Sequence, residues 1–374
     1  MHTVMRIAFT CPYARPVTHP RVARLATALT LATAVTALAA CSGEQPAVWQ
    51  QPPTPVSEQT PAPSPPAAEI TLAFAGDVHF TGRTLALLKN PGKAFGPYAT
   101  QLRAADFAMV NLETPVTDRG SEQPKEFHFR APTTSYAAIQ AAGIDLVSIA
   151  NNHTLDYGQI GLLDTLDSAR AAGMPAVGAG LNTTEAYAPY LVTVKGVRLA
   201  VLGMSQVHDL KEQWKPTATR PGVAMAFDRK LATAAVKQAR AQADVVIVFM
   251  HWGTEGQACP NGEQKSFARL MADNGADLVL GTHAHVLLAD GFVDDTYVHY
   301  GLGNFLWYSE SKSTDTGLLT VTIRDGKVKT RKFVPGVVSN NGQPKPVTGD
   351  ALRAVQTRLD QAARCTGLAT EPAA

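Results

Sequence analysis

Short apolar runs, each closed by polar residues and separated by stretches of helical period, organise the chain from residue 69 onward. Residues 70–75, 107–110, 146–150, 245–250 and 278–280 are almost continuously apolar, as strands covered on both faces are. Helical periods fill 134–142, 159–172, 229–240 and 264–274, and three of them stop at Gly143, Gly173 and Gly275. A further helix begins over 84–89. This alternation predicts an α/β domain with a parallel or mixed sheet and helices on its faces. Residues 190–194 and 198–203 flank Lys195-Gly196-Val197 and predict a hairpin. The end of the chain is β-rich at 297–300, 318–323 and 327–333, with Asp325-Gly326 joining the last two, before a helix over 351–363. No internal repeat of fixed period is present.

Residues 1–68 break this pattern. Arg15, Arg21 and Arg24 precede a short Ala-rich apolar run over 25–38, which closes on Leu38-Ala39-Ala40-Cys41. That ending resembles a bacterial lipoprotein lipobox. The resemblance implies cleavage before Cys41, diacylation of its thiol and an extracytoplasmic protein anchored to the membrane. The alternative, a permanent signal anchor, asks for ~20 apolar residues. The upstream segment is long for a leader, so Met5 or a later position is an alternative start. Residues 42–68 are rich in proline and almost free of large apolar side chains, and so predict an extended tether. At ~3.1 Å per residue it would reach roughly 80 Å. The expected organisation is a signal peptide over 1–40, anchor and linker over 41–68, one domain over 69–340, and a C-terminal helix and tail over 341–374.

Composition changes this picture little. The 374 residues are 45 % hydrophobic, enough for one large domain or two ordinary ones. With 33 Lys+Arg against 31 Asp+Glu the net charge is +2, which gives no argument for a nucleic-acid partner. Cys11 leaves with the signal and Cys41 carries lipid in this reading. Cys259 and Cys365 then remain in an oxidising compartment that permits a disulfide without requiring one.

The candidate chemistry lies at the end of each apolar run. Residues 70–75 lead into Gly76-Asp77-Val78-His79, 107–110 into Asn111-Leu112-Glu113, and 146–150 into Asn151-Asn152-His153. Residues 245–250 lead into His251-Trp252-Gly253, and 278–280 into Gly281-Thr282-His283-Ala284-His285. In a parallel sheet such ends share one edge and converge in one crevice. Taken singly, Asp77 and Glu113 are as readily helix caps, His251 a hydrogen-bonded histidine, and Asn151 and Asn152 turn formers. Five strands ending this way exceed what turn chemistry asks for. Carboxylates, an amide oxygen and imidazoles suit Mn, Fe, Zn, Co or Ni, and seven ligand candidates exceed the need of one ion. Two divalent metal ions sharing a carboxylate are therefore expected.

In order and strand-end context, Asp77 with His79, Asn152-His153, His251 and His283-x-His285 resemble calcineurin-like metallophosphoesterases. More closely, GDVH, NLETPVTD, FHFRAP, LVSIANNHTLDYG, HWGTE, GADLVLGTHAHV and YGLGNFLW resemble the CapA family of bacterial capsule-synthesis proteins, associated with poly-γ-glutamate. The similarity spans about 69–333. It implies a four-layer α/β/β/α metallophosphatase-like sandwich with mixed sheets. It also implies Asp77, His79 and His285 on one metal, Asn152, His251 and His283 on the other, and Glu113 as bridge. His153 is similar to the phosphoesterase histidine that stabilises the transferring group or protonates the leaving oxygen. Many CapA-like sequences carry an apolar residue where His79 stands, so this chain is nearer the phosphoesterase pattern. Ala284 stands where proline is common and Leu288 where a polar residue is frequent, departures that bear on specificity.

Further candidates flank these motifs. Asn304 either binds substrate or forms a turn. Lys125 and Arg130 are candidates to bind an anionic substrate or to face solvent. Asp156 either orients His153 or caps the helix after Gly158. The resulting expectation is a dinuclear hydrolase acting on a phosphoester or anionic polymer, in contact with capsule-synthesis machinery. Its alternative is a non-catalytic assembly or binding factor for such a polymer.

Overall fold

The computed structural model describes residues 69–373. The expected signal peptide, the lipidated Cys41 and the linker lie outside the described residues.

The strands, in chain order, are β1 (Glu69–Val78), β2 (Phe107–Leu112), β3 (Leu146–Ser148), β4 (Ala176–Val177), β5 (Ala179–Gly180) and β6 (Tyr190–Val194). They continue with β7 (Val197–Ser205), β8 (Gly222–Val223), β9 (Val245–Trp252), β10 (Leu278–His283) and β11 (Leu287–Val293). The last are β12 (Thr296–Leu302), β13 (Asn304–Leu306), β14 (Asp315–Arg324), β15 (Lys327–Val338) and β16 (Pro344–Pro346). The helices are α1 (Tyr98–Ala104), α2 (Ser135–Ala141), α3 (Gly158–Ala172), α4 (Thr183–Ala186), α5 (Lys211–Trp214), α6 (Arg229–Arg240), α7 (Gly262–Asp273) and α8 (Gly349–Ala363).

Two mixed sheets result. The first runs β16-β15-β14-β1-β2-β3-β4, with β13 parallel to the end of β1; the second runs β11-β12-β10-β9-β7-β6. Pairing is parallel through β1-β2-β3-β4 and through β7-β9-β10-β12, and antiparallel toward β14, β15, β6 and β11.

Alternation along each strand decides the layers. Leu72 and Phe74 of β1, with Phe107 and Met109 of β2, pack against Leu199, Val201, Ile247, Phe249, Leu278 and Leu280 of the second sheet. Their neighbours Ala73, Ala75, Ala108 and Val110 face the other way, against Tyr98, Leu102, Ile139 and Leu162 of α1, α2 and α3. Ala200, Leu202, Val246, Val248 and Val279 likewise turn toward Val236 of α6 and Phe267 and Met271 of α7. Because side chains alternate with period two, each central strand feeds two cores. The molecule is therefore the α/β/β/α sandwich with mixed sheets that the resemblance implied.

Several local expectations are corrected. The five ligand-bearing strand ends do not share one sheet edge: β1, β2 and β3 belong to the first sheet, β9 and β10 to the second. The helix expected over 84–89 is a 3-10 helix, Gly82–Lys89. The strand read as 146–150 pairs only over Leu146–Ser148. The hairpin forms with a tighter loop, and Lys195 and Gly196 alone connect β6 to β7 with positive φ. After α8 the chain is held by a Cys259–Cys365 disulfide and a bridge between Phe292 and Ala369.

Candidate metal centre

The parallel strands of both sheets end at one seam, and the ligand candidates meet there. β1 delivers Asp77 between Asn304 of β13 and Asn111 of β2, with a register shift on either side of it. Such shifts re-aim a side chain without ending the strand. Gly76 makes the approach possible: a Cβ there would stand 1.7 Å from the Gly303 carbonyl oxygen.

Glu113 is the central carboxylate and is fully buried. Its Oε2 lies 3.1 Å from His79 Nε2, while Oε1 lies 3.1 Å from His251 Nε2 and 4.0 Å from His285 Nε2. Neither approach to Oε1 has hydrogen-bond geometry, and Oε1 has no hydrogen-bond partner; His79 Nδ1 and His283 Nδ1 also lack partners. The orphaned buried atoms of Glu113 and His283 call for an occupant that is not protein, while His79 turns Nε2 toward Glu113 and belongs to none of the three-residue ligand groups. Glu113 groups with His251 and His283 on one side and with Asp77 and His285 on the other, each set within 4.8 Å. The donor set therefore fits divalent metal ions.

Electrostatics agree. Burial opposes the charge on Glu113, but His251 and His285 outweigh it and hold the carboxyl well below its usual range. Burial also opposes a charged His285, yet Glu113 and Asp77 push its pKa up to about 9. The proton on His285 answers negative charge that a cation would neutralise. His283 is held low by burial and by the neighbouring His251 and His285. His283 and His285 both have positive φ, 86° and 56°, a conformation uncommon outside glycine and concentrated at functional sites.

Partners outside the cluster fix which nitrogen faces inward. Asn304 Oδ1 lies 2.9 Å and Asp77 Oδ2 3.3 Å from His285 Nδ1, so that nitrogen carries a proton, and Nε2 is the one a cation would free as ligand atom. The Thr282 hydroxyl donates to the Met250 carbonyl and lies 3.0 Å from His251 Nδ1, leaving His251 Nε2 toward Asn152 Oδ1 at 2.7 Å. Asn304 is thus neither a turn residue nor directed at solvent. Asn151 is fully buried and clamps two strands: Nδ2 donates to Asn111 Oδ1 and the Leu112 carbonyl, while Oδ1 accepts from the His153 amide.

His153 stands beside this cluster. Its Nδ1 is 2.8 Å from Asp156 Oδ2, which also accepts from the Phe129 amide, and Lys125 Nζ is 3.0 Å from Asp156 Oδ1. Burial depresses the His153 pKa to about 4 despite Asp156. Asp156 is therefore the orienting group and not a helix cap; the residue before α3 is Tyr157, which makes no side-chain cap. Lys125 reaches the site but its ammonium is engaged by Asp156, by the Asn152 carbonyl and by the Trp214 ring at 5.1 Å. Arg130 stacks on Tyr157, 3.4 Å from the ring centroid, and is not brought to the cluster.

Sequence reasoning passed over Asn111, Thr282 and Glu255. Asn111 donates to Asp77 Oδ1 at 2.8 Å, and exposed Glu255 falls within ligand distance of His283 and His285. Asn111 stands two residues before Glu113 and Thr282 one before His283, and Glu255 closes the HWGTE motif.

Layered sheets with carboxylate, amide and imidazole ligands at their seam define a metallophosphatase-like fold with a candidate centre for divalent metal. The chain belongs to the family described as bacterial capsule synthesis protein PGA_cap, whose profile matches residues 71–309. It is 30 % identical over 292 residues to the capsule biosynthesis protein CapA of Bacillus anthracis, covering 75 % of this chain and 70 % of that one. The PGA biosynthesis protein CapA of Bacillus subtilis is also 30 % identical, over 76 % of this chain and 75 % of its own. Among solved structures, a phosphatase from Mycoplasma pneumoniae aligns with a TM-score of 0.47 and 16 % identity, over 72 % of this chain and 94 % of that one. NAD nucleotidase of Haemophilus influenzae gives 0.45 and 14 %, over 82 % and 65 %. Both scores fall below 0.5, so the fold class stands on the sheet order and the three cores.

Proposed function

We propose that this protein is a dinuclear-metal hydrolase of phosphoester type, serving capsule or cell-envelope polymer metabolism and held at the extracytoplasmic face of the membrane through Cys41. The observation that carries the reading is Glu113: one buried carboxylate belongs to both ligand sets and has an oxygen without a hydrogen-bond partner. Asp77, His79 and His285 would hold one ion, Asn152, His251 and His283 the other, and Glu113 would bridge them. Bound divalent ions supply Lewis-acid stabilisation of developing negative charge at a phosphoryl group.

The remaining work falls to side chains. Asp156 accepts the Nδ1 proton of His153, so Nε2 is the free nitrogen for the reacting group. Burial keeps that imidazole neutral, and a phosphoryl oxyanion beside Nε2 would favour its protonated form. His153 can then pass the proton to the leaving oxygen. Lys125 neutralises Asp156 and anchors the backbone of Asn152. The names of the Bacillus relatives support the polymer assignment.

The test is hydrolysis of p-nitrophenyl phosphate by the purified protein loaded with Mn or Fe. Wild type is expected to turn over, and His153→Ala to lose roughly 10²–10⁴-fold in kcat with metal content unchanged; Asp77→Ala should lose metal as well. An equal background rate in wild type and His153→Ala, with both ions bound, rejects the hydrolase reading. Restoration of polymer display by His153→Ala in a deletion strain would then assign the non-catalytic role.

A further inference from the structure

Beside the metal cluster a cleft of about 170 Å³ is walled by Phe127, Phe129, Trp307 and Tyr308, with His153 and His285 at its floor. Two features set it apart from ordinary surface. Phe127 is 55 % exposed at the rim, an apolar ring left facing water beside the reacting groups. Trp307 is only 5 % exposed and closes the inner wall, its ring 4.5 Å from that of His285.

The other walls complete a binding surface. The rings of Phe129 and Tyr308 lie 4.5 Å apart, and those of Trp307 and Tyr308 4.9 Å apart, so the aromatic wall is pre-packed. Lys312 lies across Gly256, whose φ of 74° and missing Cβ allow it: a Cβ there would stand 2.7 Å from the lysine Cδ. The Glu310 carboxylate at the same rim is paired with Arg83 at 2.9 Å, and Lys312 forms no ion pair with it or with Glu255, the other carboxylate lining the cleft.

We propose that this cleft is the leaving-group subsite, and that it selects a planar aryl or heteroaryl group carrying an anionic substituent. The proposal rests on the phosphoester-hydrolase reading of the metal centre. One ring matches the space, since a cavity of about 150 Å³ admits benzene. Phe127 and Tyr308 supply ring faces, and Lys312 pairs with the anionic substituent.

The experiment uses the full chain loaded with Mn and compares 4-carboxyphenyl phosphate, phenyl phosphate and glucose 1-phosphate. The variants are Phe127→Ala and Lys312→Gln, because Trp307 packs on the rings of His79 and His285 and its loss would disturb ligands. Wild type is expected to prefer the carboxyphenyl ester over the sugar phosphate by about tenfold or more in kcat/KM. Phe127→Ala should erase the aryl preference through KM, and Lys312→Gln should erase only the advantage of the carboxylate. Equal kcat/KM for aryl and pyranosyl esters, or an equal loss on all three, overturns the proposal. Calorimetric binding of 4-carboxyphenyl phosphonate separates this from the reading beneath it. If no ester is hydrolysed but Phe127→Ala weakens phosphonate binding about tenfold, the hydrolase reading falls and the subsite stands; unchanged binding overturns the subsite.

Discussion

Asn304 does for His285 what Thr282 does for His251: it holds the Nδ1 side so that Nε2 faces inward. Removing such a partner costs ligand basicity and orientation without touching the ligand. Asn304→Ala is therefore expected to lower metal affinity roughly 10–100-fold while the fold is kept, read by metal titration against a chelating indicator. A second residue-scale expectation concerns His299 of β12, buried against Phe333 with its Nδ1 unpaired. Burial lowers its pKa, and Asp290 only partly opposes this. The unfolded chain, with an ordinary value near ~6.5, therefore binds the proton first as pH falls. The contribution of His299 to stability is fully present above that value and is lost as pH drops toward the folded pKa. His299→Leu should flatten the decline of the urea midpoint below about pH 6.5; an unchanged slope would show that other groups take up the protons.

Among elements, the bulged end of β1 carries the most consequence. The Gly303 carbonyl occupies the space that a side chain at position 76 would need. Gly76→Ala is expected to destabilise the domain by about 1–3 kcal/mol or more and to lower metal occupancy with it, measured by denaturant unfolding and metal analysis. Much of the element plan was legible beforehand. Fully apolar runs marked β2, β9 and β10, and glycine stops marked the ends of α2 and α3, because burial on both faces and left-handed caps leave local signatures. Two-residue strands such as β4 and β8 left none, since neighbours and not their own residues create them. The division into two sheets was not readable from strand pattern, because a strand in either sheet is apolar on both faces. At the site, ligands were legible as residue types at strand ends. The roles of Asn304 and Asp156 were not, because a contact 19 residues away, or a choice between cap and orienter, is decided by packing.

For the molecule as a whole, the disulfide joins the loop after β9 to the segment after α8 across 106 residues. Constraining so long a loop in the unfolded chain stabilises by about 2–5 kcal/mol. Cys259→Ser with Cys365→Ser should lower the unfolding free energy by that order, and reductant should have no further effect on the double variant. The sheet order has another consequence, which concerns timing. β1 is the first described strand, yet one of its edges is filled by β14, pairing Glu69 with Arg324, and its end by β13. A ribosome delivering this chain in order exposes an apolar strand with an open edge until the rest of the domain has been made, the separation of the Glu69–Arg324 ion pair being 255 residues. Contacts so distant in sequence close slowly, and unpaired edges meanwhile recruit other chains. The first of the described strands to be made thus remains the most exposed to misassembly until nearly the last one arrives.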